Sequence, residues 1–97
     1  MERPVHVFSF GDKIEMAEVE SSLVLALMAV ENLHGESSMC LDARHTFDSA
    51  SRQCVIDTGS DVGRDLAKLF VGFLNREFDP DAFKVERVGR VPETAQT

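Results

Sequence analysis

Hydrophobic and polar positions alternate in two rhythms along this chain. From Val5 to Phe10 they alternate singly, with His6, Phe8 and Phe10 on one side and Val5, Val7 and Ser9 on the other, and Gly11 ends the run. That is the pattern of a β-strand. From Met16 the period lengthens to that of an α-helix, through Met16, Val19, Leu23, Ala26, Leu27, Val30 and Leu33. Asp12 and Glu15 have the spacing of a capping box, and Gly35 supplies a left-handed stop after His34. A helix of that span would be roughly 33 Å long against roughly 20 Å for a six-residue strand, so it either overhangs the sheet or starts later than the capping box suggests. Val24, Leu25, Met28 and Ala29 widen the apolar stripe, so the second half of this helix is expected to be covered on two sides.

Single alternation returns from Met39 to Phe47 and again from Gln53 to Thr58, separated by the turn Ser49-Ala50-Ser51-Arg52. A four-residue connection predicts the pairs Phe47 with Cys54, Thr46 with Val55, His45 with Ile56 and Arg44 with Asp57. In this register the apolar faces coincide, and Arg44 meets Asp57 as an opposite-charge pair. A second helix is expected over Asp61–Phe78, its stripe Val62, Leu66, Leu69, Phe70, Phe73 and Leu74, ended by Asp79-Pro80-Asp81. Phe83 to Val88 reads as a final strand.

The order β-α-β-β-α-β is that of an α+β, ferredoxin-like split sandwich. It predicts an antiparallel sheet ordered 4-1-3-2 with both helices on one face. One α+β domain over residues 1–91 and a disordered C-terminal tail over 92–97 account for the 97 residues.

Charge narrows the partners. The chain carries −7, and the imbalance is local: residues 1–50 hold nine acids and three bases, and residues 51–97 hold eight acids and seven bases. Nucleic acid is not expected as a partner, because its binding rests on phosphate neutralisation by Lys and Arg. The one basic run, Lys84, Arg87 and Arg90, is diluted by Glu86. Glu15, Glu18, Glu20 and Glu31 form a solvated helix face or a docking surface for a basic partner. The longest apolar run, Leu23 to Val30, falls far short of the roughly 20 residues that span a bilayer, so no membrane partner is expected. Met1-Glu2-Arg3-Pro4 lacks the order of a signal peptide and two Cys make no disulfide scaffold, so a cytoplasmic location is the default.

Candidate chemistry gathers around Asp57. The string Asp57-Thr58-Gly59-Ser60 resembles the Asp-Thr-Gly-Ser of aspartic proteases, whose retroviral members are homodimers of chains near this length. That resemblance implies two Asp57 carboxylates sharing a proton across a dimer. It spans only Cys54 to Asp61, beyond which a helical pattern replaces the family's β structure. Gly59, Ser60 and Gly63 also form a glycine-bearing strand-to-helix turn, which could offer amides to a small anion, though Ser60 or Asp61 as helix N-cap needs no ligand. His6, His34, His45, Cys40 and Cys54 show no metal-ligand spacing, so no metal or cofactor is expected. His45 and Cys54 share a face of the hairpin, as a nucleophile pair would, but that face is expected beneath the helices, where a thiol is inert.

The face of the sheet away from the helices carries the functional expectation. Val5, Val7 and Val55 would form its apolar centre, with Arg44, Thr46, Asp57, Lys84 and Glu86 around them. An apolar centre inside a polar rim is how an interface is built. The sequence therefore predicts a small, non-catalytic association or regulatory domain that pairs with itself or with another protein, most simply as a homodimer on this face. An acid/base enzyme centred on Asp57 and a small-anion sensor at the Thr58–Gly63 turn are the alternatives.

Overall fold

The computed structural model describes residues 4–35 and 44–89. It is an α+β structure with strands β1 (Val5–Phe10), β2 (His45–Asp48), β3 (Gln53–Asp57) and β4 (Phe83–Val88), and helices α1 (Met16–His34) and α2 (Asp61–Glu77). The strands form one antiparallel sheet ordered β2-β3-β1-β4, which is the expected 4-1-3-2 order seen from the other edge. The expected tail 92–97, the strand segment Met39–Ala43, Cys40 and Arg90 lie outside the described residues.

The pleat decides where the core sits. Phe8 and Phe10 of β1 and Cys54 and Ile56 of β3 point to one side of the sheet. They join Val19, Leu23, Ala26 and Val30 of α1 and Val62, Leu66, Phe70 and Leu74 of α2 in a single buried cluster. The Phe70 ring lies edge-on to Phe8, with ring centroids 4.8 Å apart. Leu69 and Phe73, expected in the α2 stripe, flank this cluster half-buried.

The hairpin follows the expected register: Phe47 faces Cys54, Thr46 faces Val55 and His45 faces Ile56. Beyond the end of β2, the Asp57 N–H donates to the Arg44 carbonyl at 2.9 Å, which carries the ladder one residue further. In the connecting turn the Asp48 carboxylate accepts from the N–H groups of Ala50 and Ser51 at 3.0 and 3.3 Å.

Helix α1 starts at Met16, later than the capping-box spacing implies, and its first turn has no side-chain cap. The cause lies far away in sequence. Arg52, at the hairpin turn with φ of 58°, reaches back with its guanidinium to the carbonyls of Phe10, Gly11 and Ile14. An α-helix begun at Asp12 would bond the Ile14 carbonyl to the Glu18 N–H, but that N–H turns to Glu15 instead, at 3.0 Å. The end of α1 is as expected, with Gly35 at φ 87° and its N–H on the Glu31 carbonyl.

Helix α2 is capped by Ser60, whose Oγ accepts from the Gly63 N–H at 3.0 Å. Gly63 is needed for a second reason. A Cβ at this position would stand 1.9 Å from the Asp57 carbonyl oxygen, so the helix packs on the end of β3 only because no side chain is there.

Candidate functional site

The sheet register places the expected interface residues side by side on the face away from the helices. Thr46, Val55, Val7 and Glu86 form one row across the four strands, and Asp57, Val5 and Val88 form the next. Arg44 precedes β2 at the same edge. The apolar centre is not bare, however. Val5 is 1% exposed and Val7 is 8% exposed. Both sit on a strand flanked on each side, Val5 between Asp57 and Val88 and Val7 between Val55 and Glu86. Arg44 and Thr46 are exposed, Val55 is half-buried and Asp57 is buried.

Among the described residues, the exposed large apolar side chains lie mostly on α1, with Val85 of β4 apart from them. The buried side of α1 is Met16, Val19, Leu23, Ala26 and Val30. Val24, Leu25 and Met28, neighbours at helical spacing, occupy the opposite side and are 47%, 52% and 57% exposed; Leu33 near the helix end is 67% exposed. The second cover expected over this half of the helix is absent from those side chains. Exposed Glu18, Glu20 and Asn32 and half-buried Glu31 surround the patch. The widened stripe carried this signal. Helical periodicity marks an apolar side chain but does not say whether anything lies against it.

The Asp57-to-Gly63 turn is satisfied from within the chain. The Asp57 Oδ1 accepts from the Gly59 N–H at 2.8 Å, and Ser60 Oγ occupies the Gly63 N–H. The Thr58 N–H and hydroxyl both donate to the Pro4 carbonyl, at 2.8 and 3.1 Å. The Gly59 and Gly63 amides that a phosphate would use therefore already hold side-chain oxygens. A helix begins at Asp61, where the protease pattern would continue in β structure.

His45 and Cys54 do not form a working pair. His45 is exposed on the edge strand β2, which the expectation of a covered face had placed under the helices, while Cys54 is fully buried opposite Phe47. Burial pushes the Cys54 thiol up to about 12, so the thiolate that nucleophilic chemistry needs is scarce at neutral pH. His34 is engaged with Asp65, Nε2 to Oδ2 at 2.7 Å, across the α1–α2 contact. Among the described residues, no group of three or more His, Cys, Asp and Glu side chains could hold a metal ion. No described helix is long and apolar enough to cross a membrane.

No protein-family model, curated protein or solved structure matches this chain.

Proposed function

We propose that this chain is a small non-catalytic association domain of the ferredoxin-like, split β-α-β type, and that it pairs with a second copy of itself through α1. The observation that carries the reading is the exposure of Val24, Leu25 and Met28 on the side of α1 away from the core. Contiguous apolar side chains rimmed by polar ones mark an association surface on a water-soluble face.

A second copy suits the patch because an isologous contact must be self-complementary. Two α1 helices running antiparallel about an axis between Ala26 and Leu27 set Leu25 beside Met28, Val24 beside Ala29 and Ser21 beside Asn32. Glu18 then falls opposite Gly35, and Glu20 opposite Leu33, so no glutamate faces a glutamate. About half of the roughly 1.5–3 kcal/mol of a fully buried side chain remains to be gained at each of Val24, Leu25 and Met28 per copy. Set against the cost of association, this supports a weak, concentration-dependent dimer.

Sedimentation equilibrium across a wide concentration range tests the reading. The parent chain should dimerise, and Leu25→Lys and Met28→Lys should be monomers that keep the parent's circular dichroism. A parent that stays monomeric at the highest concentration overturns self-association. Loss of the dimer in Thr46→Lys or Val55→Lys, but not in Leu25→Lys, moves the contact to the sheet face of Val5, Val7 and Val55.

A further inference from the structure

The residues between α2 and β4 form a cationic groove on an otherwise acidic molecule. One cavity of about 390 Å³ is lined by Val5, His6, Arg64, Lys68, Arg87 and Val88 among others, with no carboxylate among the described lining residues. A second, of about 430 Å³, shares His6, Lys68 and Arg87 and continues along Ala67, Val71 and Val85. Both volumes fall in the range of small-molecule sites, which are mostly apolar with a few convergent polar groups.

The polar groups at the junction are short of partners. Among the described residues, neither Lys68 nor Arg87 has an ion pair or a hydrogen bond to its side chain. Arg64 is held at the rim, its guanidinium on the Asp61 carboxylate and the Thr58 carbonyl. The His6 Nδ1 is buried without a hydrogen-bond partner. Lys68 and Arg87 thus place two exposed, unneutralised charges beside the apolar wall of Ala67, Val71 and Val85, a combination suited to an anion with an apolar body. Burial, with the Arg87 charge as a lesser cause, holds the His6 imidazole below its usual titration range, so the ring is neutral at pH 7 and one of its nitrogens carries a proton.

We propose that this groove binds a small organic anion, its carboxylate or phosphate between Lys68 and Arg87 and its apolar body along Ala67, Val71 and Val85. Arg87 offers a planar fork to two oxygens and Lys68 a point charge, with the His6 ring in the groove wall beside them. The site is separate from the Gly59–Gly63 amides, which are already bonded, and from the α1 surface.

Titration of the full chain with hexanoate, hexyl phosphate, inorganic phosphate and hexanol, followed by backbone amide shifts, tests the proposal. Hexanoate or hexyl phosphate should saturate shifts at His6, Lys68, Val85 and Arg87 at millimolar concentration. Lys68→Met and Arg87→Met remove exposed side chains and should fold as the parent does, but each should weaken binding by about tenfold or more, the scale of a charge-assisted hydrogen bond. Equal binding by inorganic phosphate would overturn the apolar part, and equal binding by hexanol would overturn the anionic part. Absence of saturable shifts with all four probes, or undiminished affinity in the Lys68→Met, Arg87→Met double variant, overturns the site.

Discussion

Replacing Gly63 by alanine should destabilise this protein severely, and replacing Gly72 in the same helix should not. At Gly63 an added Cβ lies 1.9 Å from the Asp57 oxygen, 3.0 Å from the Asp57 carbonyl carbon and 3.2 Å from Ser60 Oγ. Relief requires more than 1 Å of movement, on the order of the gap between this separation and ordinary contact. Neither side yields easily. The Asp57 N–H is tied to Arg44, the next residue's N–H is tied to Pro4, and Ser60 holds the helix start. Overpacking typically costs about 1–3 kcal/mol and occasionally more. Because the opposing atom is backbone, the upper end applies, reduced by up to about 1 kcal/mol of improved helix propensity. The expected net loss is roughly 2–3 kcal/mol, equivalent to a fall in Tm of about 10–20 °C for a domain of this size. At Gly72 an added Cβ meets nothing within 4 Å, so only the propensity gain of roughly 0.5–1 kcal/mol remains. Urea unfolding followed by far-UV circular dichroism reads both variants without Trp or Tyr. The packing of α2 on β3 is refuted if Gly63→Ala unfolds within about 0.5 kcal/mol of the parent, the ordinary scatter of surface changes, or if the two glycines respond alike.

Three further outcomes follow from named contacts. Arg52→Met keeps the stem but strips the carbonyls of Phe10, Gly11 and Ile14 of their donor, and should cost at least about 2 kcal/mol in the same unfolding assay. Cys54, with its thiol pushed up to about 12, should react with iodoacetamide only as fast as the chain unfolds, measured by mass spectrometry in a Cys40→Ser background; prompt labelling of the native protein would refute its burial. His6 is harder to protonate folded than unfolded, so the unfolded chain binds more protons below the ordinary value of 6.5 and stability should fall as pH drops through that point; His6→Gln should lose this part of the slope, and parallel pH profiles for parent and variant would contradict it.

Local pattern was sufficient where the deciding contacts are local. The β2–β3 register follows from alternation and the length of the turn, because a one-residue slip would send Phe47 and Ile56 to opposite faces. Length alone leaves two places for the start of α1, and the later one is taken: Asp12 and Glu15 have a capping spacing, but Arg52 from the hairpin holds the carbonyls of Gly11 and Ile14 that an earlier start would use. The exposure of Leu25 and Met28 was hidden: a wide apolar stripe is the same in sequence whether its second side meets a protein layer or water. The burial of Val5 and Val7 was hidden for the same reason: alternation assigns each valine to a side of the sheet but does not say what covers that side. For the groove, the spacing of Arg64 and Lys68 puts them on one side of a helix, but Arg87 joins them only through the pairing of β4 with β1, which sets Arg87 against His6.

The two surfaces can be separated by their coupling. The α1 patch and the α2–β4 groove share no residue, so their free energies should add if each has been assigned correctly. Dimerisation of the parent should therefore be unchanged by saturating hexanoate, and hexanoate affinity should be unchanged in Leu25→Lys. Reciprocity makes this a strict check: a ligand that shifted the dimer would have to bind monomer and dimer differently, and the dimer would then alter ligand affinity by the same factor. The observable is the dimer dissociation constant with and without ligand. A change beyond about twofold, roughly the 0.3–0.5 kcal/mol scatter of independent sites, would mean that the contact reaches the groove and does not run along Leu25 and Met28 alone. Salt offers a second discrimination. Attraction of an anion to Lys68 and Arg87 is screened at high ionic strength, whereas burial of Val24, Leu25 and Met28 is not, so added salt should weaken hexanoate binding and leave the dimer intact or strengthen it by screening the net −7 charge of each copy.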